Sequence, residues 1–256
     1  MRLLTFITAM IISLATLGQD TLQKATTTEF KRLLFGVNIS ADYCYRTLKN
    51  NNGNSTTSSI IDLRDKSEEP KLGYTAGLNI CYNFSKHLGI EAGLQYSNKG
   101  YAFKNSELTF ADMIDPRYGF IYPGNGGVGP KKVKFIYNHI YLDVPVRVIF
   151  SFGEKRIQFV TSVGLTTNIF LKATQTSIFE YENGDTKRET NDQQYNFRSI
   201  NISPILSAGI DYRINHRINL RVEPTIRYGI LKIIDAPLTT YLWSSGLNFS
   251  CYYTLK

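Results

Sequence analysis

Hydrophobic and polar positions alternate with a period of two along most of the chain. Leu72, Tyr74, Ala76, Leu78, Ile80, Tyr82 and Phe84 are interleaved with Gly73, Thr75, Gly77, Asn79, Cys81 and Asn83. Ser85, Lys86 and His87 interrupt, and Leu88, Ile90, Ala92, Leu94 and Tyr96 then resume against Gly89, Glu91, Gly93 and Gln95. A period of two is that of a strand with one apolar face. Two such runs around a short polar break predict a hairpin. The pattern recurs from Ala208 to Tyr228 at one constant offset, with Gly209 answering to Gly77, Ile210 to Leu78, Glu223 to Glu91 and Tyr228 to Tyr96. A repeated hairpin predicts a barrel assembled from such units.

The same alternation marks four further strands, at Phe35–Arg46, His139–Phe150, Ile157–Lys172 and Tyr241–Leu255, for eight in all. Residues 49–71, 104–131 and 175–198 read as long loops, while SFGEKR at 151–156 and the breaks at 85–87 and 215–217 read as tight turns. A medium loop through Asp235 and Pro237 opens the last strand, and no amphipathic helical pattern of useful length is present. In an up-and-down barrel every second connection falls at the same end, so one end is all tight turns and the other all long loops, as in outer-membrane barrels. The expected fold is therefore all-β, an eight-stranded antiparallel up-and-down transmembrane β-barrel over residues 33–256. Pro145, Pro204 and Pro224 lie inside strands. Each removes a ladder hydrogen bond, so bulges or irregular pairing are expected there.

A greasy-inside soluble carrier and a greasy-outside membrane barrel share this pattern, and the polar face separates them. It holds Gly36, Gly73, Gly77, Gly89, Gly93, Gly164, Gly209, Gly229 and Gly246, together with Asp42, Glu91, Asp143, Arg147, Asp211, Arg213, Arg221, Glu223 and Arg227. Glycine weakens a strand unless something must come close, whereas the packed interior of a narrow barrel needs small residues beside long ones. The apolar face carries no Asp, Glu, Lys or Arg in the strand cores. Its aromatics gather at the ends: Tyr43, Tyr45, Tyr74, Tyr96, Tyr137, Tyr228, Tyr241 and Trp243 toward the long loops, and Phe35, Tyr82, Phe84, Phe150, Phe159, Tyr212 and Tyr253 toward the tight turns. Two aromatic girdles around an aliphatic band mark membrane interfaces.

Composition adds the compartment. Arg2 followed by an apolar run to Leu17 and small residues near Gly18 reads as a signal peptide over 1–18, and residues 19–32 as a flexible, Thr-rich leader. The run is shorter than the ~20 residues a spanning helix needs. Of the three cysteines, Cys44 and Cys81 lie on the polar face of neighbouring strands but several residues out of register, and Cys251 lies on the other face, so no disulfide is expected. The net charge of +8 is scattered rather than gathered in a stripe. It suits phosphate-rich lipid headgroups, including lipopolysaccharide, better than nucleic acid.

At YLDVPVRV (Tyr141 to Val148), the GxN and AGxN openings at Gly36–Asn38 and Ala76–Asn79, and NKGY at Asn98–Tyr101, the chain resembles the PorT-like outer-membrane β-barrel family of the Bacteroidota. The resemblance implies a porin-like superfamily barrel of the OmpA or OmpX sort, inserted by the barrel-assembly machinery. Founders of that family are associated with a dedicated protein secretion system, a role that does not transfer on fold alone.

Candidate chemistry is sparse. His87 and His216 sit in tight turns, and only His139, at the top of its strand, could approach Ser or Asp residues of adjacent loops as a base. The cysteines and histidines are too far apart for metal spacing, and GNGG at 124–127 lacks the strand and helix of a phosphate cradle, so no cofactor is expected. Glu91, Asp143, Arg147, Asp211, Arg213, Arg221, Glu223 and Arg227 instead suggest a buried ion-pair network filling the lumen, since buried charges must be paired; a narrow polar pore or gate is the functional alternative. The leading expectation is a non-enzymatic outer-membrane barrel whose long loops meet a protein partner or support envelope integrity. A secretion accessory and a lipid-modifying enzyme are the alternatives.

Overall fold

The computed structural model describes residues 32–51, 53, 55–105, 113–114, 121–122, 130–153, 155–181, 183–234 and 238–254. The expected signal peptide, all but the last residue of the expected leader and most of the expected loop 104–131 lie outside them. The described elements are β1 (Leu33–Asn50), α1 (Ser55–Ser67), β2 (Glu68–Glu69), β3 (Lys71–Asn83), β4 (Leu88–Asn105), β5 (Met113–Ile114), β6 (Ile121–Tyr122), β7 (Lys132–Phe152), β8 (Ile157–Glu180), β9 (Thr186–Asp192), β10 (Ile200–Arg213), β11 (Ile218–Tyr228) and β12 (Leu238–Thr254).

Among the described residues eight strands close an antiparallel ring in the order β1, β3, β4, β7, β8, β10, β11, β12 and back to β1. Closure leaves no ring edge with unpaired backbone groups, which lipid requires. The apolar face is outside: Leu78 is 63% exposed, Ile90 37%, Val146 47% and Leu220 41%, while Glu223 and Asp143 are 0% exposed. Tyr43, Tyr74, Tyr96 and Tyr228 stand on the outer surface toward the long loops, and Phe35, Tyr82, Phe84, Phe150, Phe159, Tyr212 and Tyr253 toward the tight turns. Trp243 is half-buried against Tyr43, with ring centroids 6.2 Å apart.

Several sequence expectations need correction. Residues 49–71 are not all loop but carry α1 and β2. No residue of α1 is buried, so it lacks the apolar stripe by which a helix is recognised. Residues 175–198 are likewise not one loop, because β8 continues to Glu180 and pairs with β9 from Thr174↔Asp192 to Glu180↔Thr186. β4, β7 and β8 outrun the ~9–11 residues that cross a bilayer, and their upper halves project beyond the girdle. Tyr137 lies on such an extension and faces inward, stacked on Tyr101 at 4.9 Å, because the inward series Asp143, Tyr141, His139 continues through it. Lys172 faces outward and pairs with Asp192 at 2.9 Å; the ladder shifts between Ile140 and Tyr141, leaving Leu171 without a partner on β7.

The prolines interrupt the ladder without shifting it. Pairing of β4 with β7 skips Pro145 and Val144 and resumes in the same register at Gln95↔Asp143, and pairing of β10 with β11 skips Glu223 and Pro224 and resumes at Ser207↔Thr225. Pro204 lies one residue beyond Ile205↔Arg227, where the β10–β11 ladder ends. A missing N–H costs rungs, not register.

The two hairpins repeat with a slip. Measured from their turns, Cys81↔Glu91 in the first corresponds to Asp211↔Arg221 in the second, so Glu91 is equivalent in place to Arg221 and not to Glu223. A slip of two residues leaves every side chain on its own face, which is why the apolar match survives it.

Candidate functional site

Inward positions run from an apolar floor through ionic and amide levels to an apolar mouth. At the tight-turn end, buried Leu34, Cys81, Ile149, Val160 and Tyr252 pack into an apolar floor. Gly36 makes room for it: a Cβ there would stand 2.6 Å from the Tyr252 ring.

The middle layer is ionic. β4 and β7 set Glu91 beside Arg147, and β10 and β11 set Asp211 beside Arg221. Arg147 Nη2 lies 2.7 Å from Glu91 Oε1 and, across the lumen, 3.0 Å from Glu223 Oε2. Arg221 Nε contacts Asp211 Oδ2 at 3.0 Å and Nη1 reaches Glu91 Oε2 at 3.3 Å. The Tyr252 hydroxyl donates to Glu91 Oε2 at 2.7 Å under the Arg221 guanidinium, which lies 4.5 Å from its ring centroid. Ser207 donates to Glu223 Oε1 at 2.8 Å. Two guanidiniums and three carboxylates thus link β4, β7, β10 and β11 across the interior.

Above this layer Arg227 meets Asp42 at 3.2 Å and Lys99 meets Asp143 at 2.8 Å, with Asn168 donating to the other Asp143 oxygen at 2.6 Å. Arg213 alone of the eight sequence-nominated charges sits apart, donating to Gln158 Oε1 at 2.8 Å near the tight turns. Asp42, which parity places on the polar face, belongs to the cluster, and so does Lys99, which the alternation up to Tyr96 did not reach. Lys99 continues the inward series Glu91, Gln95, Ser97 of β4, so extending that parity past Tyr96 finds it.

Alternate residues of the motifs that carry the family resemblance also turn inward. Asn38 and Asn79 join an amide cluster in which Gln95 donates to both, at 3.4 and 3.0 Å, and Asn38 donates to Asn248 at 3.2 Å. Tyr141, Asp143, Pro145 and Arg147 are the inward half of YLDVPVRV.

The mouth is apolar again. Tyr101, Val133, Phe135, Tyr137, Tyr141, Ile233 and Leu242 form a buried core above the girdle, capped by segments 193–199 and 229–234, which meet at the Phe197↔Ile234 bridge. His139 is packed here, 6.1 Å from the Tyr101 ring and 5.4 Å from Phe197, with Nδ1 lacking a hydrogen-bond partner. α1 is clamped to this end because Glu68 accepts from both Arg46 and Arg64, and Arg46 also meets Asp65. Burial lowers the Arg64 pKa, but neighbouring Tyr101 and Glu68 more than offset this, so the guanidinium is held above its ordinary value.

A closed, lipid-facing antiparallel ring with a charge-paired interior defines an outer-membrane β-barrel. The chain belongs to the outer membrane protein beta-barrel domain family, whose profile matches residues 19–235, and the outer membrane is its location. No curated protein matches the chain in sequence. Similar solved structures include Neisserial surface protein A (9% identity, 87% of this chain and 97% of that chain covered, TM-score 0.43). They also include Ail of Yersinia pestis (11% identity, 87% and 99%, TM-score 0.31) and OprG of Pseudomonas aeruginosa (12% identity, 90% and 100%, TM-score 0.39).

Proposed function

We propose that this protein is a non-enzymatic outer-membrane barrel with a sealed lumen, whose long-loop end serves surface binding or envelope integrity. The observation that carries the reading is the lumen itself: an apolar floor, the Arg147–Glu91–Arg221–Asp211 ionic layer and an aromatic cap succeed one another, with both guanidiniums of the layer answered by carboxylates. A conducting pore needs mobile water beside its charges, whereas guanidiniums locked onto two carboxylates each occupy the lumen. What such a barrel presents outward is the projecting β7–β8–β9 sheet, every residue of β9 being exposed, together with α1. Planar-bilayer recording tests the seal: the purified mature chain is expected to give no defined conductance steps, and steady open-channel currents from the wild-type barrel would overturn it. A binding role is tested by replacing residues 181–198 with a short turn in intact cells, which is expected to abolish capture of the surface partner while leaving the barrel in place.

The secretion-accessory reading, with membership of the PorT-like family of the Bacteroidota, stands on YLDVPVRV and its companion motifs. The inward half of those residues fills the lumen, so it favours a kind of barrel rather than a partner. Loss of protein export on deletion would put this reading first. Packing of His139 between Tyr101 and Phe197 favours a structural role over catalysis; a lipid A modification that disappears with His139→Ala would reverse that.

A further inference from the structure

We propose that the tight-turn rim is a binding belt for anionic phospholipid headgroups in the leaflet those turns face. Arg32, Lys86, His87, Lys155, Arg156, His216 and Arg217 are all exposed at this one end. In sequence, the turns at 84–87, 153–156 and 214–217 carry a single acidic residue, Glu154. The opposite end is mixed: Arg46, Arg64, Lys172 and Lys187 are matched there by Asp65, Glu68, Asp192 and Glu189. The charge of the barrel is therefore polarised along its axis.

The cations are distributed around the whole circumference. Asn83 N donates to Arg32 O (2.8 Å), Ser151 N to His87 O (2.9 Å), Arg213 N to Arg156 O (2.9 Å) and Thr254 N to Arg217 O (2.8 Å). Each bond is the last rung of a seam, between β1 and β3, β4 and β7, β8 and β10, and β11 and β12 respectively. Every second seam of the ring thus ends at a basic residue.

Their height identifies the occupant. Phe84 stands 60% exposed two residues before Lys86, and Phe152 53% exposed three before Lys155, so each cation lies just beyond the aromatic girdle. Aromatic rings at that position occupy the headgroup level, and cations just outside them meet the lipid phosphates. A soluble polyanion would satisfy the charge but has no relation to the girdle. Short turns face the periplasm in outer-membrane barrels, which makes the occupant an inner-leaflet phospholipid.

The test reconstitutes the mature chain in phosphatidylcholine vesicles containing a minor fraction of phosphatidylglycerol, extracts it gently, and measures both retained lipids by mass spectrometry. Wild type is expected to retain phosphatidylglycerol above its bulk share, and K86Q/K155Q/R156Q/R217Q to lower that enrichment at least about fivefold. K172Q/K187Q/R188Q, at the other end, is expected to leave it unchanged. A heat-modifiable gel shift checks that each variant is folded. Should the fourfold variant fail to fold, wild type in rising salt decides, since enrichment must then fall. Enrichment that is absent in wild type, unchanged in the fourfold variant, lost instead in the β9-end variant, indifferent to salt, or displaced by millimolar inorganic phosphate overturns the proposal.

Discussion

Arg147→Met removes the one guanidinium bonded to both Glu91 and Glu223 while keeping an unbranched stem. Both carboxylates are buried, but they lose unequal amounts. Glu91 keeps Arg221 at 3.3 Å and the Tyr252 hydroxyl at 2.7 Å, whereas Glu223 keeps the Ser207 hydroxyl at 2.8 Å and only the longer-range attraction of Arg221. Breaking one partner of a buried pair costs about 3–5 kcal/mol, and since only Glu223 is stranded the lower end applies, roughly a hundredfold in the folding equilibrium. The companion variant Arg147→Met/Glu223→Gln removes one charge of each sign, so the imbalance between guanidiniums and carboxylates stays what it was. Replacing a whole buried pair is close to neutral, and the double variant is expected within about 1 kcal/mol of wild type. Urea titration of barrels folded into vesicles, followed by Trp243 fluorescence and the gel shift, measures both. A single variant as stable as wild type, or a double no better than the single, would refute the pairing scheme and with it the sealed lumen.

Leu78→Arg places a charge on the outer face of β3 within the aliphatic band and is expected to cost ~2–4 kcal/mol by the same titration; a smaller loss would mean that Leu78 does not face lipid. Gly36→Val pushes a side chain into the Tyr252 ring and is expected to destabilise by about 1–3 kcal/mol, with the signature that the same substitution costs less in a Tyr252→Ala background than in wild type. Glu68→Gln withdraws the carboxylate that clamps Arg46 and Arg64, and charged hydrogen bonds of this sort are worth about 1.5–3 kcal/mol each. Trypsin cleavage after Arg64 should accelerate at least about tenfold while the urea midpoint of the barrel barely moves; unchanged cleavage would show that α1 is held by something else.

The barrel was legible in the sequence because period-two alternation is a local property that a membrane enforces strand by strand. Once Leu78 faces lipid, so must Ile80, Tyr82 and the outward residues of the next strand, and Glu91, Arg147 and Arg221 are confined to the lumen by the same parity. Strand ends were less legible. Above the girdle the outer face meets water, so alternation no longer has to be apolar against polar: β8 runs through Thr174, Gln175, Thr176 and Ser177, all buried and all polar, and reads as loop. α1 fails for a related reason, since it is held by Arg46, Arg64 and Glu68 rather than by an apolar stripe, and ion pairs have no period.

Parity also limits what a repeat can establish. The match of Glu91 to Glu223 in sequence kept both residues inside but assigned them the wrong level, because faces repeat every two residues while levels are set by where the turn begins. The consequence for the lumen is specific. Had Glu91 and Glu223 stood at one level, two carboxylates would have met across a narrow barrel and Arg147 would have had to separate them. With the slip, the first hairpin's Glu91 stands level with the second hairpin's Arg221 and pairs with it, Asp211 sits beside Arg221 on the neighbouring strand, and Arg147 joins Glu91 beside it to Glu223 one step higher. The two-residue slip thus gives Glu91 a second guanidinium, Arg221, in place of a facing carboxylate, and converts a repeated acidic position into a charge-paired interior.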